Sequence, residues 1–116
     1  MTATGPTGDE LVEVLAALAN PLRLRIVATL AGGRDYVSHL ARVIGVSRPL
    51  LHMHLQRLEA AGLVVGSLEL SEDGKAMKYF EIADFDFTLT PSALAEAVLT
   101  LTTPDPQRGP AREERS

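Results

Sequence analysis

The chain has 116 residues, 46% of them apolar and none a cysteine, with a formal net charge of −4. That length suits one domain, and the lack of cysteine excludes a disulfide framework, thiolate metal sites and cysteine catalysis. No apolar run approaches the roughly 20 residues a membrane span needs, and Met1 to Asp9 has neither the basic start nor the apolar stretch of a signal peptide, so a soluble cytoplasmic protein with no membrane partner is expected.

In chain order, residues 1–8 read as a flexible tail of Thr, Gly and Pro. A first helix follows over 9–19, with Leu11, Leu15 and Leu18 at helical spacing, Val14 beside them, and Asp9, Glu10 and Glu13 suited to its positive end. Asn20-Pro21 caps and opens a second helix that Gly32-Gly33 ends. A short third helix carries Val37, Leu40, Ala41, Val43 and Ile44 and stops at Gly45. Ser47 caps a fourth, whose buried stripe is Leu51, Leu55 and Leu58 and which Gly62 closes. The period then changes to that of strands. Leu63-Val64-Val65 and Leu68-Glu69-Leu70, the turn Ser71–Gly74 and the alternation over Met77–Ile82 predict a hairpin. Thr90-Pro91 opens a last helix over 91–102, striped by Leu94, Val98 and Leu101. Residues 103–116, rich in proline and charge, read as a disordered tail. The domain expected over 9–102 is therefore mainly α with a small β-hairpin, in the order α-α-α-α-β-β-α.

The charges are segregated along this order. Residues 20–58 hold six arginines (Arg23, Arg25, Arg34, Arg42, Arg48, Arg57), one acid, Asp35, and all three histidines, while the rest holds five bases and fourteen acids. A basic middle between acidic flanks fits local contact with a polyanion. An ordinary solvated arginine face reads the same way on charge alone.

Two helices joined through a tight glycine turn make a helix-turn-helix, and a hairpin directly after them makes it winged. Here the sequence resembles the winged-helix regulators of the arsenic- and metal-responsive ArsR type. The resemblance runs through Leu18-Ala19-Asn20-Pro21-Leu22-Arg23-Leu24-Arg25-Ile26, Leu40-Ala41, Ser47 to His54-Leu55, Leu58-Glu59-Ala60-Ala61-Gly62-Leu63-Val64, and Gly74 and Tyr79 in the wing, about two-thirds of the chain. It implies a homodimeric, sequence-specific regulator of transcription that reads an inverted-repeat operator in double-stranded DNA, with the first and last helices forming the dimer through Leu11, Leu15, Leu18, Leu94, Val98 and Leu101. Those two stripes also lack an obvious third layer to cover them.

With the fourth helix in the major groove, Pro49, His52, Met53, Gln56 and Arg57 project away from the leucine stripe. Arg48, His52 and Gln56 suit base readout, since arginine pairs bidentately with guanine and glutamine with adenine. Ser47 and Arg57 suit phosphate, and Lys75 and Lys78 in the wing can reach it too. Glu69, Glu72, Asp73 and Glu81 surround those lysines and are expected to weaken wing contact by repulsion. His54, about 60° off the buried stripe on an ideal helix, reads as a half-buried, hydrogen-bonded packing residue, and the resemblance allows it a packing or phosphate-contact role. His39 is expected to be exposed.

The resemblance also implies a metal effector, and its nickel-linked members make Ni(II) the candidate. The sequence supplies little for it. His39, His52 and His54 are the imidazole candidates, His52 and His54 diverge by about 200° on an ideal helix, and the last helix offers only Glu96. Weak or absent sensing is expected, unless a partner regulatory protein supplies the missing ligands. No nucleophile–base pair, phosphate loop or hydrolase motif is present, so an enzyme is not expected. The acidic wing and total charge leave one alternative, a protein-interaction winged helix without DNA binding.

Overall fold

The computed structural model describes residues 5–102: α1 (Gly8–Leu18), α2 (Pro21–Ala31), β1 (Asp35–Tyr36), α3 (Val37–Ile44), α4 (Arg48–Ala60), β2 (Val64–Leu70), β3 (Ala76–Ile82) and α5 (Pro91–Val98). This is a winged helix-turn-helix, with one strand more than the sequence shows. The short β1 pairs antiparallel with β3, placing Asp35 opposite Phe80 and Tyr36 opposite Tyr79, and the sheet order is β1-β3-β2. The expected tail over 103–116 lies outside the described residues, as does the start of the one over 1–8, whose last residue, Gly8, opens α1. No single helix among the described residues is long and apolar enough to cross a membrane.

Backbone packing divides the chain into two compact units, one of Glu13–Asp86 and one of the flanking segments up to Val12 and from Phe87. The larger unit holds the winged core. Asn20 Oδ1 accepts from the Leu22 and Arg23 amides at 2.9 and 3.2 Å, launching α2 through Pro21. Gly45, at φ 86°, ends α3 in the left-handed region that favours glycine, which makes the tight turn into α4. Ser47 Oγ then caps α4 by accepting from the Leu50 amide at 3.3 Å. Ile26, Leu30, Leu40, Leu51, Leu55, Leu58, Leu63 and Val64 are completely or almost completely buried, and Phe80 joins them from the sheet. Each such side chain contributes about 1.5–3 kcal/mol of hydrophobic burial. The stripe predicted on α4 is thus the one that fixes it to the core.

In the smaller unit α1 and α5 meet at Gly8. A Cβ there would clash with the Ala97 carbonyl oxygen, so only glycine fits. The Gly8 amide donates to Thr100 Oγ1 at 2.7 Å, and Asp9 accepts from both the amide and the hydroxyl of Thr102. Thr100 also donates to the Ala97 carbonyl at 3.0 Å. Residues 99–101 close in tight i to i−3 turns, so α5 stops at Val98 rather than continuing to 102.

Candidate nucleic-acid interface

The outward face of α4 carries Arg48, Pro49, Leu50, His52, Met53, Gln56 and Arg57, all exposed, while Leu51, His54, Leu55 and Leu58 face the core. Neither Arg48 nor Arg57 has an ion-pair partner among the described residues. Ser47 accepts the capping bond and keeps its own hydroxyl proton for a further acceptor.

The wing bends back toward the start of this helix. Ser71 and Lys75 close the β2–β3 turn, with the Ser71 amide on the Lys75 carbonyl at 2.8 Å and Gly74 at φ 85°. A cleft of about 590 Å³ results, lined by Tyr36–Ser38, by Arg48, Pro49 and His52, and by Lys75–Lys78. Three of the predicted cations and His52 therefore share one concave surface. Its floor includes the first residues of α3, whose N-cap, Tyr36, makes no side-chain capping bond. Gln56, Arg57 and Ser47 do not line the cleft and extend the surface along α4.

A family model described as a helix-turn-helix domain matches residues 18–66. The chain is 34% identical over 90 residues to the HTH-type transcriptional regulator CmtR of Mycobacterium tuberculosis, covering 78% of this chain and 72% of that one. It is 33% identical over 78 residues to an uncharacterized HTH-type transcriptional regulator of Methanocaldococcus jannaschii, covering 67% and 81%. Among solved structures it matches the homodimeric winged helix-turn-helix DNA-binding domain of a possible ArsR-family regulator from Mycobacterium bovis, with a TM-score of 0.56, 32% identity and 66% of each chain covered. The chain belongs to the ArsR family of winged helix-turn-helix transcriptional regulators. It is a DNA-binding regulator, not an enzyme.

In this ArsR-family chain the histidines take places the sequence reads only in part. His54 is 4% exposed, more deeply buried than expected, which favours its packing role over a phosphate contact. Its Nδ1 accepts from Arg23 Nε at 3.0 Å, while Arg23 Nη1 donates to the Ala17 carbonyl at 3.3 Å and reaches that of Ala16 at 3.5 Å. Arg23 thereby links the end of α1 to the inner face of α4. Burial, and then the neighbouring Arg23 charge, push the His54 imidazole below its ordinary value. An accepting Nδ1 leaves the proton on Nε2, which is buried with no hydrogen-bond partner among the described residues. His39 is half exposed rather than free, with Nδ1 2.6 Å from Asp35 Oδ2.

These positions do not fit a nickel or zinc centre. Asp35 holds one histidine and Arg23 another, and no three His, Asp or Glu side chains converge among the described residues.

Sequence reasoning also missed Arg34. It pairs bidentately with Glu69 on β2, Nη1 to Oε2 at 2.8 Å and Nη2 to Oε1 at 3.1 Å, and lies 4.4 Å above the centroid of the Tyr79 ring. The pair holds the Glu69 carboxyl below its ordinary value. One of the four acids expected to repel DNA is therefore neutralised within the wing. The partners are 35 residues apart, and no local pattern joins them.

Of the six apolar residues expected at the dimer interface, only Leu11 is buried within its own chain. On α1 the buried residues are Leu11, Val14 and Ala17, while Leu15 is exposed and Leu18 half-buried. On α5 and just beyond it, Leu94, Val98, Leu99 and Leu101 are exposed, Leu99 by 79%. Each unit thus carries its own uncovered apolar surface.

Proposed function

We propose that this regulator reads an inverted-repeat operator in double-stranded DNA as a homodimer, with α4 in the major groove and the wing along the backbone. The observation that carries this is the cleft between the start of α4 and the wing, where Arg48, Lys75 and Lys78 converge on one concave surface. On that reading Arg48, His52 and Gln56 contact base edges, and Ser47, Arg57, Lys75 and Lys78 contact phosphate. Half-sites lie about one or more helical turns apart, and the regulator works in the cytoplasm, beside its DNA.

A second copy is the occupant proposed for the apolar surfaces left open at Leu15, Leu18, Leu94, Val98 and Leu101. Leu11, buried within its own chain, supports the helix from behind. The homodimeric state of the Mycobacterium bovis domain supports this assembly. Leu15→Asp with Leu94→Asp should give a monomer by light scattering, and a dimer in that variant would place the interface elsewhere.

Ni(II) should bind the isolated chain weakly and shift operator affinity modestly, because an effector moves an equilibrium only by its differential affinity for the two states. A partner regulatory protein is the remaining source of ligands for a closed site. Selection from a random duplex library at several salt concentrations, with and without Ni(II) or Zn(II), tests all of this. Enrichment of an inverted repeat supports the proposal. Binding with no sequence enrichment, or none at all, overturns it in favour of a protein-interaction module. A hundredfold metal effect, at the upper end of ordinary allosteric coupling, overturns the metal part.

A further inference from the structure

The outward face of α4 has an apolar apex that no polar contact explains. Leu51, Leu55 and Leu58 already fill the core side, yet Met53 stands 52% exposed and Leu50 beside it 38% exposed. On an ideal helix Met53 lies about 40° from Pro49, about 40° from Arg57 and about 60° from Gln56, so it sits at the middle of the exposed arc rather than at its edge. Side chains on a helix lean toward its N-terminus, which carries Met53 over the turn where recognition helices meet base edges.

Resting on the DNA-reading function proposed above, we infer that Met53 is a specificity-determining residue that packs on the C5-methyl group of a thymine in each half-site. The donors and acceptors of the major groove are read by polar side chains. The thymine methyl is the one apolar feature that the standard bases present there. An unbranched thioether, flexible and polarizable, adapts to such a group. Exposed methionine is hydrophobic surface left in water in the free protein, and contact with the methyl removes both apolar surfaces from solvent. Gln56, on the adjacent ridge, suits adenine, so the thymine read by Met53 belongs to the base pair that Gln56 reads or to its neighbour.

The test uses the full chain and the duplex it enriches from the random library. Each thymine of one half-site is replaced in turn by deoxyuridine, which removes the methyl and keeps the pairing edge. At one thymine the wild-type protein should lose about fourfold in affinity, the factor that corresponds to about 0.8 kcal/mol for one buried methyl-sized group. Met53→Ala should bind the thymine duplex about fourfold more weakly and show no further loss with deoxyuridine at that position. Met53→Leu, which keeps an apolar side chain, should retain most of the deoxyuridine effect. Met53 is exposed, so both variants should unfold at the wild-type temperature. A flat deoxyuridine scan with the wild type, or a sensitive position whose loss persists undiminished in Met53→Ala, overturns the assignment while leaving DNA reading intact. A library that enriches no sequence overturns DNA reading itself, and this assignment with it.

Discussion

The recognition helix and the wing both offer cations to the same cleft, but their surroundings differ. Arg48 and Arg57 on α4 have no acidic partner among the described residues. Lys75 and Lys78 stand in a hairpin with Glu69, Glu72, Asp73 and Glu81, and Lys78 lies 5.5 Å from the centroid of the Phe80 ring. Arg34, from outside the hairpin, removes Glu69 from that balance by a two-bond ion pair. Six arginines in the middle of the sequence do not, therefore, mean six charges available to DNA. Arg23 is engaged with His54 and the end of α1, and Arg34 with Glu69 and Tyr79. What a phosphate backbone meets is the charge left after internal pairing, concentrated on α4 and trimmed to near balance in the wing.

The sharpest way to break this contrast is to alter base readout on α4. Arg48→Ala and Gln56→Ala should each change the preferred base at one operator position and cost about 1–3 kcal/mol there. Competition binding against single-base operator variants measures it. Unchanged preference in both would remove α4 from the groove and leave the wing as the reader.

Next in size are the phosphate contacts. Arg57→Ala should weaken all sequences alike and flatten the salt dependence of binding by about one unit. Lys75→Ala with Lys78→Ala should lower affinity less than Arg57→Ala alone, because the wing acids offset the lysines. Arg34→Ala probes the same balance from the other side. It frees Glu69 and should weaken binding although Arg34 is assigned no DNA contact, and adding Glu69→Gln should restore affinity. If Arg34→Ala has no effect on binding, the neutralised wing is not part of the DNA surface.

Much of this was readable along the chain, and what escaped has a common physical cause. Caps at Asn20, Ser47 and Thr90, the glycine stop at Gly45 and the leucine stripe of α4 are local, since each depends on residues within one or two helical turns. The side chains proposed for DNA contact could be chosen by their angle from that stripe. Strand β1 has two residues and therefore no period to detect. The Arg23–His54 and Arg34–Glu69 contacts join residues 31 and 35 apart, and only the folded chain brings them together. Helix α1 has apolar residues on two faces: the core takes Leu11, Val14 and Ala17, while Leu15 and Leu18 of the expected stripe stay open, and spacing alone does not divide the two sets. Met53 was passed over for the opposite reason: on a polar face an apolar residue carries no hydrogen-bonding signal.

The smallest expected effect concerns the link behind α4, and it separates support of the recognition helix from its contacts. Burial and Arg23 lower the His54 pKa from the ordinary value of 6.5. The folded chain therefore binds fewer protons at this site than the unfolded chain once the pH falls toward and below 6.5, and its contribution to stability is complete above that value and lost as the pH falls through the lowered folded value. The chemistry agrees with the sign. A protonated imidazole cannot accept from Arg23 Nε and would place two positive charges 3.0 Å apart. The carboxylates with lowered values, Asp9, Glu69 and Asp73, start from 3.8 to 4.5 and are affected only in more acidic solution. Melting temperature should therefore decline on acidification below about pH 6.5, its unperturbed value, before those carboxylates protonate. His54→Gln, whose amide oxygen can accept from Arg23 and does not titrate, should flatten that decline. The Arg57→Ala variant, altered on the outer face of the same helix, should keep it. An equal decline in wild type and His54→Gln would show that the buried imidazole does not couple α4 to protons.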